Sequence, residues 1–164
     1  MKKKNKMNIL FFVAMVLLCL GIAFLVHSLT YGPLPTITTN DSILSFRGGK
    51  EETVMATKNV SIKVFDKEVD FLQIAGDIKL NGEPIDGMGE RLKVSVYYNS
   101  NIYYIGNFTE GYQYINKNNC DLFPMTNDTN FTLKYEFTVP SQYCVCKGDY
   151  TFTFEEELRI GIEK

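Results

Sequence analysis

The sequence predicts an all-β fold, an antiparallel sandwich of about seven or eight short strands, preceded by one N-terminal transmembrane or signal-anchor helix. Three observations carry this. Lys2, Lys3, Lys4 and Lys6 precede an uncharged apolar run from Ile9 to Val26. Beyond Ser28 the apolar residues recur with period two, and no segment shows the 3.6-residue period of a helix. Gly, Pro and Asn clusters punctuate the chain at the spacing of strand-to-strand turns.

The opening segment addresses the chain to a membrane. A cationic flank followed by apolar residues is what a translocon reads, and the positive-inside rule keeps the lysines cytoplasmic and sends everything after Ser28 across. The run exceeds the usual signal-peptide core of about 7 to 15 residues and approaches the roughly 20 that span hydrocarbon, which favours an anchor. Val26-His27-Ser28 nevertheless offers a cleavage point. The expected product is a single-pass type II membrane protein with a lumenal or extracellular C-terminal domain, or a secreted one if the segment is removed. The boundaries read as a basic flank at 1–8, a membrane segment at 9–28, a stalk at 29–58 and a sandwich domain at 59–164. The stalk rests on Pro33, Pro35, a Thr-rich tract and the Gly48-Gly49-Lys50-Glu51-Glu52 cluster.

Within the domain the strands follow in order. Val60 to Phe65, Val69 to Ile74 and Ile78 to Leu80 read as short strands, with loops at Asn81-Gly82-Glu83-Pro84 and Asp86-Gly87-Met88-Gly89. Leu92, Val94, Val96 and Tyr98 alternate with polar residues, and Asn99-Ser100-Asn101 turns the chain back into Ile102–Ile105 as a hairpin. Phe131, Leu133, Tyr135, Phe137 and Val139 alternate with Thr132, Lys134, Glu136 and Thr138. Tyr150, Phe152 and Phe154 form another strand, and Leu158, Ile160 and Ile162 close the chain.

Composition narrows the function. All 19 acidic residues lie from Asp41 onward, whereas four of the 17 basic ones precede residue 7, leaving the exported part with a net charge near −6. That balance argues against nucleic acid and against charge-driven binding to anionic lipid. Five Asn-x-Ser/Thr motifs follow the apolar run, at Asn40, Asn59, Asn107, Asn127 and Asn130, as expected of a glycoprotein. Cys120, Cys144 and Cys146 fall where oxidation is expected. A bridge between Cys144 and Cys146 would strain a strand, so Cys120 is expected to pair with one of them.

Catalysis and metal binding are not expected. The sole histidine is His27 at the membrane edge, so the domain cannot build Ser-His-Asp or Cys-His chemistry, and three thiols lack a fourth zinc ligand. Asp66, Glu68 and Asp70 share a strand face and Glu155, Glu156 and Glu157 run consecutively. Both groups read as solvated edges whose charge discourages strand pairing. No cofactor is implied.

The middle and end of the chain resemble the MD-2-related lipid-recognition (ML) domain family of small secreted sandwiches. The resemblance lies in Gly76-Asp77-Ile78-Lys79-Leu80-Asn81-Gly82, in Leu92 to Tyr98, in Cys120-Asp121-Leu122-Phe123-Pro124, in Val139-Pro140 and in Lys147-Gly148-Asp149-Tyr150-Thr151-Phe152. The family's second cysteine is replaced by Phe123, and its terminal disulfide is missing. The resemblance implies a lipid or sterol held in an apolar cavity between the sheets, where each buried methylene contributes about 0.8 kcal/mol. The lining would be Val94, Val96, Tyr98, Phe131, Leu133, Tyr135, Phe137, Phe152 and Phe154. The same residues also suit a filled core, and then the domain is a glycosylated cell-surface or virion recognition ectodomain that contacts a protein partner. Tyr97, Tyr103, Tyr104, Tyr112 and Tyr114 form a tyrosine-rich stretch suited to a contact patch, a pocket mouth or cross-strand pairs.

Overall fold

In the computed structural model of the chain, residues 2–31, 34–39, 43–48, 53–109, 111–143 and 150–163 are described. Contacts divide the chain into two units, Met1–Leu34 and Pro35–Lys164.

The first unit is a helix, α1 (Lys2–Tyr31), that carries the whole apolar run. Phe11, Met15, Leu18 and Leu25 are exposed, and none of the described side chains of the helix is buried. Among the described residues no helix is long and apolar enough to cross a membrane.

The second unit consists of two facing antiparallel sheets. Their strands are β1 (Thr36–Thr39), β2 (Ile43–Gly48), β3 (Thr53–Lys63), β4 (Phe71–Leu80), β5 (Glu83–Pro84), β6 (Leu92–Tyr98), β7 (Asn101–Asn107), β8 (Tyr112–Asn116), β9 (Thr129–Thr138) and β10 (Tyr150–Gly161). Sheet A runs β1-β3-β9-β6-β7. Sheet B runs β2-β10-β4-β5, with β8 also paired to β4.

Period-two alternation explains these strands. Leu92, Val94 and Val96 on β6, Phe131, Leu133 and Phe137 on β9 and Phe152 and Phe154 on β10 point inward and are buried. Phe137 and Phe152 meet across the sheets with ring centroids 5.0 Å apart, and Tyr135 and Phe154 at 5.7 Å. The hairpin expected around Asn99 is present. Asn99 and Ser100 both adopt positive φ (49° and 65°), the twist of a two-residue type I′ connection, and the β6–β7 register shifts between Val96 and Tyr97.

Three differences from the sequence reading have physical causes. The 29–58 stretch, expected to be a stalk, contains β1, β2 and the first half of β3. Thr53 to Asn59 pairs with Thr138 to Thr132, because Thr and Val suit an extended strand even where apolar residues are sparse. The expected strands at 69–74 and 78–80 are one strand, β4, running through Gly76. There β10 passes so close that a Cβ on Gly76 would lie 2.2 Å from the Glu155 carbonyl oxygen, which only glycine permits. Likewise Tyr150–Phe154 and Leu158–Ile160 are one strand. β10 is interior to sheet B, between β2 and β4, so its three glutamates do not lie on an edge.

Candidate functional site: a polar centre in a packed core

Along β3 the inward positions are Val54, Ala56, Lys58, Val60 and Ile62; along β10 they are Phe152, Phe154, Glu156, Leu158 and Ile160. Each series is apolar except at one position, and the two exceptions meet. Lys58 Nζ donates to Glu156 Oε1, with 2% and 0% of the two side chains exposed. Tyr135 Oη, from β9, donates to Glu156 Oε2. Lys58 and Tyr135 belong to sheet A and Glu156 to sheet B, so this triad spans the core.

Burial of the Tyr135 phenol, together with the neighbouring Glu156 carboxylate, pushes its pKa well above the ordinary tyrosine value. The group therefore remains an O–H donor at any physiological pH. Tyr135 packs against Phe154, whose ring in turn meets Phe108 edge-on at 4.9 Å, so a charged pair and its donor sit among aromatic rings.

Period-two parity is the signal that marks Lys58 and Glu156 in the sequence. Glu156 shares parity with Phe152, Phe154, Leu158 and Ile160, and Lys58 with Val60 and Ile62. Reading the three glutamates as a solvated group overlooked that alternation places only two of them outside. Glu155 and Glu157 are indeed exposed. Lys79 Nζ donates to Glu155 Oε2 at 2.7 Å, and Arg159 pairs with Glu157 through Nε and Nη2 at 2.9 and 2.7 Å. Of the other acidic group, Asp66 and Glu68 are exposed and Asp70 Oδ2 accepts from the Glu163 backbone N–H at 2.8 Å.

The nine residues expected to line a lipid cavity come together in one cluster. Val94, Val96, Phe131, Leu133, Tyr135, Phe137, Phe152 and Phe154 are buried in the core and Tyr98 packs at its margin. Two hollows of the second unit lie elsewhere. One, of about 740 Å³, opens on the outer face of sheet A beside Thr38, Thr57, Asn59, Tyr97 and Lys134, and only Phe131 of the nine reaches it. The other, of about 650 Å³, lies among the 85–90 loop, Gly76 and Phe108.

The tyrosines do not form one patch. Tyr98 and Tyr103 meet edge-on at 5.9 Å, Tyr104 is buried with Gln113 Nε2 donating to its hydroxyl, and Tyr97 borders the sheet A hollow. Tyr112 and Tyr114 stand on the outer face of sheet B, where Tyr114 stacks on Phe71 at 4.8 Å.

Asn59 and Asn130 project from the outer face of sheet A, where Thr132 Oγ1 donates to Asn59 Oδ1 at 3.1 Å; Asn107 and Asn127 are exposed. Asn40 lies outside the described residues. Cys120 is buried and is a free thiol among the described residues, its pKa raised chiefly by desolvation. Cys144 and Cys146, its expected partners, lie outside the described residues, as does the first half of the Lys147–Phe152 stretch. Among the described residues no group of three or more His, Cys, Asp or Glu is placed to hold a metal ion.

Comparison with protein families, with characterised proteins and with solved structures finds no match. The resemblance to ML domains therefore rests on the residues quoted for it.

Proposed function

We propose that this chain is a membrane-tethered, glycosylated recognition ectodomain with a solid core. The observation that carries this reading is the interior itself. The residues available to line a lipid cavity instead contact one another across the sheets, and a charged triad stands in their midst. An acyl chain entering there would meet a buried carboxylate, which is costly to strip of its partners.

Further support comes from the faces. Glycans on Asn59 and Asn130 would cover sheet A and leave sheet B free. That second face offers Tyr112, Tyr114 and Arg159, residue types that dominate protein contacts, beside Lys79, Glu155 and Glu157. The tether would be the apolar run within α1, which at 1.5 Å per residue extends about 27 Å, close to the hydrocarbon thickness of a bilayer.

The test is native mass spectrometry of residues 35–164 purified from a eukaryotic secretory host, before and after incubation with phospholipid and cholesterol vesicles. A glycosylated domain that carries no lipid and takes none up supports recognition. Co-purifying lipid, or stoichiometric loading, would restore the carrier reading implied by the ML resemblance. Alkaline extraction of the full chain from membranes tests the tether: retention in the bilayer supports it, and release into the supernatant contradicts it.

A further inference from the structure

Lys58 and Glu156 are 98 residues apart in sequence and come from opposite sheets, yet their side-chain ends are in contact where neither reaches water. We propose that they close an intramolecular isopeptide bond, joining Lys58 Nζ to Glu156 Cδ so that the two sheets are covalently linked through the core.

Both reactants are present and in contact. Contact between Nζ and Oε1 leaves the carboxyl carbon only one bond further on, and near-attack geometries react from about 3–3.5 Å. The two carboxylate oxygens have different partners. Oε1 faces the amine, and Oε2 accepts the Tyr135 O–H, so the oxygen that must depart already holds a proton donor. Tyr135 remains protonated because burial and the adjacent carboxylate oppose its ionisation.

The step balances without an oxidant or co-reactant. The ammonium gives one proton to the carboxylate, which carries it on Oε2, leaving amine and acid. The amine lone pair attacks Cδ and forms the N–C bond as the C=Oε1 π pair moves onto Oε1. The C–Oε2 bond then breaks as Oε2–H takes a second proton from Tyr135 and leaves as water, while Oε1 re-forms the carbonyl and the nitrogen hands a proton to the tyrosine in the same relay, so that no free tyrosinate forms. One amide and one water result. In bulk water the separated groups are favoured. Here the fold holds them in contact in a site closed to solvent, where well-oriented intramolecular pairs reach effective concentrations of about 10⁵–10⁸ M, and amide formation removes two buried charges that are expensive to keep there.

Such a bond suits a tethered ectodomain. Force applied between residue 34 and the C-terminus would pass along 35–58, through the bond and out along 156–164, bypassing the strands between. Tyr135 acts here as a positioning and proton-donating group.

The test is intact mass spectrometry, after denaturation, of the protease-resistant full chain made in a bacterial host that adds no N-glycans. The expected mass is one water below the sequence mass, with a tryptic peptide in which the segments containing Lys58 and Glu156 are joined. Lys58→Arg is expected at its full mass, and Tyr135→Phe as a mixture of open and closed masses that closes slowly with time. A folded wild-type chain at full sequence mass overturns the proposal, as does a water loss that maps to Asp86-Gly87 instead. Material from a eukaryotic host, weighed after enzymatic glycan removal, gives an independent reading by the same criterion.

Discussion

Glu155, Glu156 and Glu157 are consecutive residues on one strand, yet they occupy two different worlds. Glu155 and Glu157 stand half or more exposed, paired with Lys79 and Arg159, whereas Glu156 is fully withdrawn from water between Lys58 and Tyr135. Residue type is identical and sequence context nearly so. The difference is strand parity: odd positions of β10 face solvent and even positions face sheet A. The energetic consequence is large, since exposed pairs are worth about 0–1 kcal/mol and an unpaired buried charge costs several.

The largest effect that could break this comparison comes from removing one buried partner. Glu156→Ala leaves an uncompensated Lys58 ammonium in the core and is expected to destabilise the domain by about 3–5 kcal/mol, read from denaturant midpoints. Replacing both partners, as in Lys58→Met with Glu156→Leu, should recover the part of that loss that comes from the buried charge, but not the part that comes from losing the proposed covalent link. Next is Tyr135→Phe, which removes the hydrogen bond to Glu156 while keeping the ring against Phe154. The expected cost is about 1.5–3 kcal/mol.

Parity also explains how much could be read in advance. The alternation of Leu92–Tyr98 and Phe131–Val139 exposed two central strands and the hairpin at Asn99, because half-buried strands write their faces into every second residue. Residues 36–58 were not legible as strands. Thr36–Thr39 pairs with Val60–Lys63 as a short edge, and such edges carry few apolar residues. Nor was the fusion of Tyr150–Phe154 with Leu158–Ile160, since a run of three glutamates reads as a solvated edge unless its middle member is weighed against a lysine about a hundred residues earlier. Of the nine residues proposed as a lipid lining, eight are buried and Tyr98 packs at the margin of the core. Whether inward side chains fill a space or surround one depends on their summed shape, which alternation does not encode.

A smaller effect concerns pH on the outer face of sheet A. Lys134, which donates to Glu136 at 3.0 Å, and Lys93, at 3.6 Å, hold the Glu136 carboxyl below its ordinary range. A depressed carboxylate contributes stability above its unfolded pKa and loses it as pH falls through the folded value. The wild type should therefore lose more stability than Glu136→Gln between pH 5 and the acid limb, about the range where ordinary carboxylates titrate. Equal acid slopes in the two proteins would show that this cluster does not contribute. The smallest effect is expected for Lys79→Ala, whose exposed pairing with Glu155 should be worth about 0–1 kcal/mol and fade with added salt.

Two double-mutant cycles, one on Lys58 with Glu156 and one on Lys79 with Glu155, test the central contrast in a single series. The account predicts a coupling energy of several kcal/mol, insensitive to salt, for the interior pair, and one below about 1 kcal/mol, screened by salt, for the surface pair. Comparable couplings with the same salt dependence would contradict it, because both glutamates would then be meeting the same solvent.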